Sequence, residues 1–154
     1  MSSCIFCQIA KKISPAYIIW EDEQHVAFLS IYPNTPGVTV IITKEHYDSY
    51  ALNLPDEILS NLVLASKKVA RLLDEKLPDV GRTGLVLEGF GINHVHAKLY
   101  PLHGTKQVEN WQPIKSDINT FQPLYQGYIS SHDCNTMTQQ ELSEIHALFR
   151  RRQH

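Results

Sequence analysis

The sequence predicts an α+β fold: an antiparallel β-sheet meander with one long helix and a C-terminal helix. Three observations support this prediction. Short β-branched runs separated by turn residues fill much of the first 45 residues, apolar residues recur at helical spacing over residues 55–77, and residues 93–101 alternate as a strand does. We expect the helices to lie on one side of the sheet.

The first part of the chain contains the predicted meander. Residues 18–21 and 26–30 are predicted strands around a turn at residues 22–24. Residues 32–37 hold two prolines and a glycine and form a turn cluster. They lead into residues 38–42, a β-branched run that is typical of a central strand.

The long helix is predicted over residues 55–77. Its apolar stripe consists of Ile58, Leu62, Ala65, Val69 and Leu72. Pro55 suits the first helical position, and Pro78 ends the helix. Residues 83–87 are then a predicted strand, and residues 88–91 a tight glycine turn.

The stretch at residues 93–101 contains the most informative pattern of the chain. His94, His96 and Lys98 occupy every second position, so an extended strand places all three on one face. The residues between them are small and apolar and suit the buried face: Val95, Ala97 and Leu99. A row of titratable nitrogen groups on such a strand indicates a site for phosphate or metal, and the spacing leaves both open.

The last third of the chain has weaker signals. Residues 103–126 are polar and are expected to run over the surface, residues 127–131 form a possible late strand, and the role of residues 103–137 stays open. Thr138 and Glu141 form a capping-box pattern before a last helix that ends near residue 152. We expect one domain over residues 1–154, with its core at about residues 4–102 and a C-terminal extension at about residues 103–154.

Composition limits the classes of protein that fit. A chain of 154 residues suits one domain, and a net charge of −2 argues against a nucleic-acid polymer as the main partner. No apolar run approaches the roughly 20 residues that span a bilayer, so we expect no membrane partner. The N-terminus lacks a signal-peptide pattern, and the expected location is cytoplasmic.

The three cysteines are too few for a disulfide framework. Cys4 and Cys7 form a C-x-x-C pair, which leaves metal binding, a redox site or no role open. The redox alternative needs a strand before the pair, and the sequence offers none there. Cys134 is expected to be an incidental thiol.

Three segments, in this order, are similar to the histidine triad (HIT) superfamily of nucleotide-binding proteins. They are CIFCQI at residues 4–9, AFLSIYPNTPG at 27–37 continuing to IITKEH at 41–46, and HVHAK at 94–98. The likeness covers about residues 4–102. Each segment alone is weak, but their joint order and spacing are specific.

The resemblance implies a nucleotide hydrolase or transferase. Family members act at the α-phosphate of nucleoside phosphates, phosphoramidates and dinucleoside polyphosphates through a nucleotidyl-histidine intermediate. His96 matches the attacking histidine, whose neutral imidazole needs no separate base near pH 7. Lys98 stands where the family has its third histidine and would hold the α-phosphate as a point charge. The catalytic pair is therefore predicted to be His96 and Lys98, and no cofactor is required for the chemistry.

The resemblance also implies a nucleotide-binding set, in which Ile9, Phe28 and Ile31 line the base pocket. The predicted set is Ile9, Phe28, Ser30, Ile31, Gly89, Gly91 and Asn93. Ser30 replaces the family's acidic ribose-binding residue, and the apolar members equally suit ordinary core packing. Glu88 would repel a phosphate unless it faces away or acts on a proton.

Some family members bind zinc, and the four matching residues are Cys4, Cys7, His46 and His94. Two thiolates and two imidazoles suit a closed, tetrahedral structural zinc site. His94 would then be a positioning residue and not a catalyst. The alternative is a reduced C-x-x-C pair without metal.

The resemblance further implies a nucleotide substrate as partner and a homodimer. Two other functions stay open: a catalytically weakened nucleotide-binding module with a structural zinc, and a zinc-dependent interaction domain. The nucleobase and the leaving group are not given by the sequence. Among the remaining histidines, His103 and His132 lie where a loop could close over the site, and His25, His146 and His154 are expected at the surface.

Overall fold

Five strands form one antiparallel sheet in the computed structural model, which describes residues 3–106, 120–125, 127 and 138–150. The chain divides into two compact units, residues 1–108 and residues 109–154. The first unit contains the sheet, and the second contains the C-terminal helix. The prediction of a single domain over residues 1–154 stays a prediction.

The elements follow one another in the order α1, β1, β2, β3, α2, β4, β5, α3, with one 3₁₀ turn before α2. Their bounds are α1 Ile5–Ala10, β1 Ile18–Glu21, β2 His25–Leu29, β3 Thr39–Thr43, the 3₁₀ turn Ala51–Asn53, α2 Asp56–Lys76, β4 Val80–Val86, β5 His96–His103 and α3 Gln139–Arg150. The predicted α+β class with one long helix and a C-terminal helix is confirmed.

The strand order in the sheet is β1-β2-β3-β5-β4, with every neighbouring pair antiparallel. The first three strands are the predicted meander. The meander order then breaks, because β5 lies between β3 and β4. Lys98 on β5 is consequently flanked by Val40 of β3 and Val86 of β4.

The long helix α2 packs on one face of the sheet. Leu62, Val69 and Leu73 of α2 meet a buried cluster that includes Ala27 and Ile41. The same cluster holds Val95, Ala97 and Leu99, the apolar set predicted for the buried face of the motif strand.

The short helix α1 lies on the opposite face. Its Ile9 packs with Val26, Phe28, Val40 and Ile42. The expectation of helices on one side of the sheet is therefore wrong. The physical reason is that the central strands are buried on both faces: all five residues of β3 are buried, so both faces need a cover.

Element ends differ from the sequence prediction at the outer strands. β4 begins at Val80 and β5 runs on to His103, because Val80 pairs with His103 across the two strands. Asp79 closes this end: its backbone oxygen accepts from the amides of residues 104–106. The motif strand begins at His96, after Val95 has donated its amide to the Tyr47 carbonyl.

The capping box predicted for the last helix is present. The Thr138 hydroxyl oxygen accepts from the Glu141 amide at 3.2 Å, and the Glu141 carboxylate accepts from the Thr138 amide at 3.3 Å. Of the possible late strand at residues 127–131, all but Gly127 lie outside the described residues, as do residues 151–154. In the described part of the chain, no helix is long and apolar enough to cross a membrane.

Candidate functional site

Two cysteines and two histidines converge where α1 meets the sheet. Cys4 is the N-cap of α1 and Cys7 lies in its first turn, while His46 follows β3 and His94 precedes β5. The Cys4 sulfur lies 3.4 Å from His94 Nδ1. The Cys7 sulfur lies 3.3 Å from His46 Nδ1 and 3.4 Å from His94 Nδ1.

This cluster fits a tetrahedral metal ion. All four ligand atoms lie within 4.8 Å of one another. Zinc bonds of about 2.3 Å to sulfur and about 2.0 Å to nitrogen, at tetrahedral angles, separate the two ligand atoms by about 3.5 Å. The three sulfur–nitrogen distances of 3.3 to 3.4 Å agree with that value. The four residues that the resemblance assigned to zinc are therefore brought together.

The His94 ring is oriented by its second nitrogen. Nε2 donates to the Thr43 backbone carbonyl at 2.7 Å, which leaves Nδ1 directed at the two sulfurs. Burial lowers the pKa of His94, and the positive form of His46 would lower it further. The neutral imidazole that a metal ligand requires is thus the favoured form.

His96 lies on the same side of the strand, as the alternation predicted. Its Nδ1 donates to the His94 backbone carbonyl at 2.7 Å, and the edge of the Phe6 ring packs on it with centroids 5.3 Å apart. Only 3% of His96 is exposed. Burial is the main cause that lowers the pKa of His96; the Lys98 charge lowers it too, while backbone bonds to His94 and Phe90 oppose the shift.

Lys98 and Glu88 form an ion pair beside His96. The Lys98 ammonium nitrogen lies 2.6 Å from a Glu88 carboxylate oxygen, and the two side chains are 27% and 15% exposed. Because Val86 pairs with Lys98, Glu88 follows two residues later on the same face, toward His96. Lys98 therefore neither extends into solvent nor stands alone as a cation for phosphate.

The glycine turn before β5 is tied to the segment after His46. A Cβ on Gly89, which has a φ of +76°, would lie 2.9 Å from the Ser49 carbonyl oxygen. The Asn93 side-chain oxygen accepts from the Ser49 amide at 3.0 Å. Gly89 is therefore required by the close approach of two backbones.

A family model described as "HIT domain" matches residues 11–105. This chain belongs to the HIT domain family. An uncharacterized HIT-like protein of Methanocaldococcus jannaschii is 34% identical over 118 residues, which cover 73% of this chain and 90% of that protein. A Candida albicans protein named adenosine 5′-monophosphoramidase is 33% identical over 108 residues, which cover 65% of this chain and 70% of that protein.

Solved structures agree with the fold of this HIT domain. A Zn-bound histidine triad family protein from Mycobacterium smegmatis superposes with a TM-score of 0.62 at 25% identity. The match covers 68% of this chain and 78% of that one. The family assignment predicted from the three sequence segments is confirmed.

In the HIT domain, some of the predicted base-pocket residues are buried in the core and others lie at the surface. Ile9 and Phe28 are buried in the cluster under α1, whereas Ile31 is 67% exposed. The Ser30 hydroxyl oxygen accepts from the Tyr32 amide at 3.1 Å. The nucleotide contacts of Ile9, Phe28, Ser30 and Ile31, and of Gly89, Gly91 and Asn93, stay predictions.

Two histidines of the HIT domain differ from their predicted surroundings. His25 was expected at the surface but is only 3% exposed: it begins β2 and pairs with Thr43 of β3, and its Nδ1 bonds to the Asp22 carboxylate at 3.0 Å. That expectation is wrong, and Asp22 three residues earlier was the signal that could have corrected it. His103 lies at the end of β5 and bonds to Asp79 and to the Pro36 carbonyl. His132, His154 and the His146 side chain lie outside the described residues.

Two groups at the site were not assigned a contact from the sequence. Phe6 lies against both the His94 and the His96 rings, with centroid distances of 5.8 and 5.3 Å. For Glu88 the sequence suggested repulsion of a phosphate, a side chain that faces away, or a role on a proton, but not the pairing with Lys98. Both contacts join residues from different elements of the fold, so no local sequence pattern predicts them.

Proposed function

We propose that this protein is a nucleotide hydrolase or transferase that acts at the α-phosphate of a nucleoside phosphate, phosphoramidate or dinucleoside polyphosphate. One observation carries the proposal: His96 Nδ1 donates to the His94 carbonyl at 2.7 Å. A carbonyl can only accept, so the neutral ring carries its proton on Nδ1 and its lone pair on Nε2. The Phe90 carbonyl is a second hydrogen-bond acceptor for this ring, and it would have to move away before Nε2 attacks. This is the tautomer that a nucleophilic histidine needs.

The reaction has two steps. In the first, the Nε2 lone pair of His96 forms a bond to the α-phosphorus while the bond to the leaving group breaks. The leaving group departs with the electron pair of that broken bond and takes up a proton from solvent. In the second, the oxygen of a water molecule bonds to the same phosphorus, the nitrogen–phosphorus bond breaks, and the water gives up one proton to solvent. A nucleoside monophosphate is released, and the imidazole regains its lone pair.

Lys98 and the backbone amides near Gly89 and Gly91 would stabilise charge on the transferring group. Lys98 lies two residues after His96 on the same face of β5, so its ammonium can turn to a phosphate bound at His96. It would then exchange part of its contact with Glu88 for the phosphate.

Access to His96 requires a local movement. With 3% of the residue exposed and Phe6 packed against its ring, a phosphorus atom reaches Nε2 only when a neighbouring group shifts. The turn at residues 88–91 is the natural candidate, because it lies in a loop outside the strands and its Phe90 is 61% exposed.

We further propose that the Cys4, Cys7, His46 and His94 cluster holds a structural zinc. The bound ion would tie α1 to the sheet and supply no reacting group. The agreement of the sulfur–nitrogen distances with tetrahedral geometry supports this, as does the similarity to the Zn-bound histidine triad family protein from Mycobacterium smegmatis.

The direct test incubates the protein with adenosine 5′-phosphoramidate and with diadenosine triphosphate. We expect release of adenosine monophosphate and, after rapid acid-free quenching, a nucleotidyl adduct that peptide mass spectrometry locates on His96. His96→Asn is the matched variant, since its amide can still donate to the His94 carbonyl but cannot attack. Product formation by His96→Asn at the wild-type rate would contradict the assignment.

A second candidate function is a nucleotide-binding module without turnover. The buried His96 ring and the pairing of Lys98 with Glu88 favour it. It predicts nucleotide binding by calorimetry with no product from either the wild type or His96→Asn. We also propose that the chain forms a homodimer, as its resemblance to the family implies, and light scattering of the purified protein tests this by its mass in solution.

A further inference from the structure

The ion pair of Lys98 and Glu88 places a negative charge where a phosphate site would ordinarily carry only positive ones. We propose that Glu88 determines substrate specificity by charge: it selects substrates whose phosphate groups carry a single negative charge in total, such as nucleoside phosphoramidates, over polyphosphates. This inference rests on the proposed function, because that function places the phosphate at His96.

The geometry fixes where the carboxylate acts. Lys98 pairs with Val86 across β4 and β5, so Glu88 stands on the same face one step nearer to His96. Its carboxylate oxygen is 2.6 Å from the ammonium nitrogen of Lys98. A phosphate that contacts both His96 and Lys98 therefore lies within a few ångströms of the Glu88 carboxylate.

The partial burial of the pair makes its charge effective. The Glu88 side chain is 15% exposed and that of Lys98 is 27% exposed, so water screens them less than it screens a surface pair. Lys98 and Glu88 carry opposite formal charges, with their charged atoms 2.6 Å apart, so the pair adds no net charge beside His96.

A site with cancelling charges discriminates among ligands by their total charge. A phosphoramidate carries one negative charge, and Lys98 can balance it without much repulsion from Glu88. The bridging phosphates of a dinucleoside polyphosphate add further negative charges. The pair contains only one cation, Lys98, which cannot offset them. Each added charge near Glu88 weakens binding in both the ground state and the transition state.

Glu88→Gln tests the inference, because it removes the charge and keeps the shape. The measured quantity is kcat/KM for diadenosine triphosphate divided by kcat/KM for adenosine 5′-phosphoramidate. We expect this ratio to rise about tenfold. Two unit charges about 6 Å apart repel by an energy that corresponds to about tenfold in rate when the effective dielectric constant is about 40, half that of water. An unchanged ratio overturns the inference even if both rates change together.

Two controls separate the local charge from other effects. Glu75→Gln removes the same charge from the exposed surface of α2 and is expected to leave the ratio unchanged. Glu88→Asp keeps the charge and is expected to retain a ratio close to the wild-type value. If Glu88→Gln does not fold, as judged by circular dichroism, Lys98→Gln provides the converse test. This variant leaves the negative charge of Glu88 without its partner, so we expect the kcat/KM ratio to fall.

Binding measurements distinguish failure of this inference from failure of the proposed function. Calorimetry compares adenosine monophosphate with adenosine triphosphate, and Glu88→Gln should strengthen triphosphate binding more than monophosphate binding. If that occurs without any turnover by the wild type, charge selection stands and the enzymatic function falls. If phosphoramidate is hydrolysed, but Glu88→Gln changes neither the kcat/KM ratio nor the relative affinity for triphosphate and monophosphate, the function stands and the charge selection falls. If no nucleotide binds at all, both are overturned.

Discussion

The Nδ1 of His96 lies 2.7 Å from the backbone carbonyl oxygen of His94, two residues earlier on the chain. His94 thus serves two sites at once. Its ring lies among the sulfurs of Cys4 and Cys7, while its carbonyl orients the ring of His96. Any change that moves the backbone at His94 must therefore act on the cluster of two cysteines and two histidines and on His96 together.

We predict that the neutral His96 ring carries its proton on Nδ1. The carbonyl partner accepts a hydrogen bond and cannot donate one, so the other tautomer would place two acceptors against each other. Long-range ¹H–¹⁵N NMR of the ring, with His96→Asn used for assignment, should show Nδ1 with the chemical shift of a protonated nitrogen. A protonated Nε2 together with an unprotonated Nδ1 would contradict the orientation on which the proposed nucleophilic attack depends.

Removing the metal is predicted to destabilise the protein. Cys4 and Cys7 lie at the start of α1, and His46 and His94 flank the central strands, so an ion held by all four links the N-terminal segment to the sheet. We expect one zinc per chain by elemental analysis and a fall in Tm of at least about 5 °C on treatment with a chelator.

Cysteine variants provide the matched pair for this metal prediction. Cys7→Ser should lose the zinc and have the lowered Tm without any chelator. Cys134→Ser should keep one zinc per chain, because Cys134 is expected to be an incidental thiol. Full zinc content in Cys7→Ser would mean that the ion is held elsewhere.

Gly89 is predicted to tolerate substitution worse than Gly91. Both have positive φ, at +76° and +96°, so an alanine at either position costs about 1–2 kcal/mol of backbone strain. At Gly89 the new Cβ would also lie 2.9 Å from the Ser49 carbonyl oxygen, whereas at Gly91 nothing lies within 4 Å. Urea unfolding should show Gly89→Ala to be less stable than Gly91→Ala by about 1–3 kcal/mol. Equal losses of unfolding free energy in the two variants would show that the segment around Ser49 moves aside without cost.

The sequence was sufficient for features that depend on local pattern. The alternation at His94, His96 and Lys98 correctly predicted which side chains share a face, because the register of β5 against β3 is unbroken from Leu99 to His96 and the period of two is kept there. The position of α1 could not be predicted in the same way, since a helix of six residues is too short to show a periodic apolar stripe. The expectation of helices on one side failed for that reason.

The contact between Glu88 and Lys98 was beyond the sequence for a different reason. It depends on the register that pairs Val86 with Lys98, and a shift of one residue would turn Glu88 to the other face. Register is set by how β4 packs on α2 and β5, which no local pattern encodes. The bond of His25 to Asp22, by contrast, joins residues only three apart, so a local signal for it was present in the sequence.

His103 is predicted to stabilise the fold in its protonated form. Its Nδ1 lies 3.0 Å from an Asp79 carboxylate oxygen and its Nε2 lies 2.6 Å from the Pro36 carbonyl oxygen. Both neighbours are acceptors, so only the imidazolium can donate to both. The Pro36 carbonyl first, and then the Asp79 carboxylate, raise the pKa of His103 above its ordinary 6.5. The same contact lowers the pKa of Asp79.

The signs of these two shifts define a pH window. A raised pKa in the folded state means that the His103 contribution is complete below pH 6.5 and is lost as pH rises through the folded-state pKa. The Asp79 contribution is present above its ordinary pKa of 3.8 and is lost as pH falls through its lower folded value. The His103–Asp79 pair is therefore strongest at pH values between the folded-state pKa of Asp79 and that of His103. It weakens at higher pH, where His103 loses its proton.

Asp79→Asn tests this assignment by two independent measurements. NMR titration should place the pKa of His103 above 6.5 in the wild type and lower in the variant, though still raised there because the Pro36 carbonyl remains. The difference in unfolding free energy between wild type and Asp79→Asn should be larger at pH 6 than at pH 9, because at pH 9 the imidazole is neutral and the charge contact is gone. A difference that stays constant over that range would mean that the Asp79 side chain acts only through its bond to the Gly104 amide, and that His103 merely lies beside it.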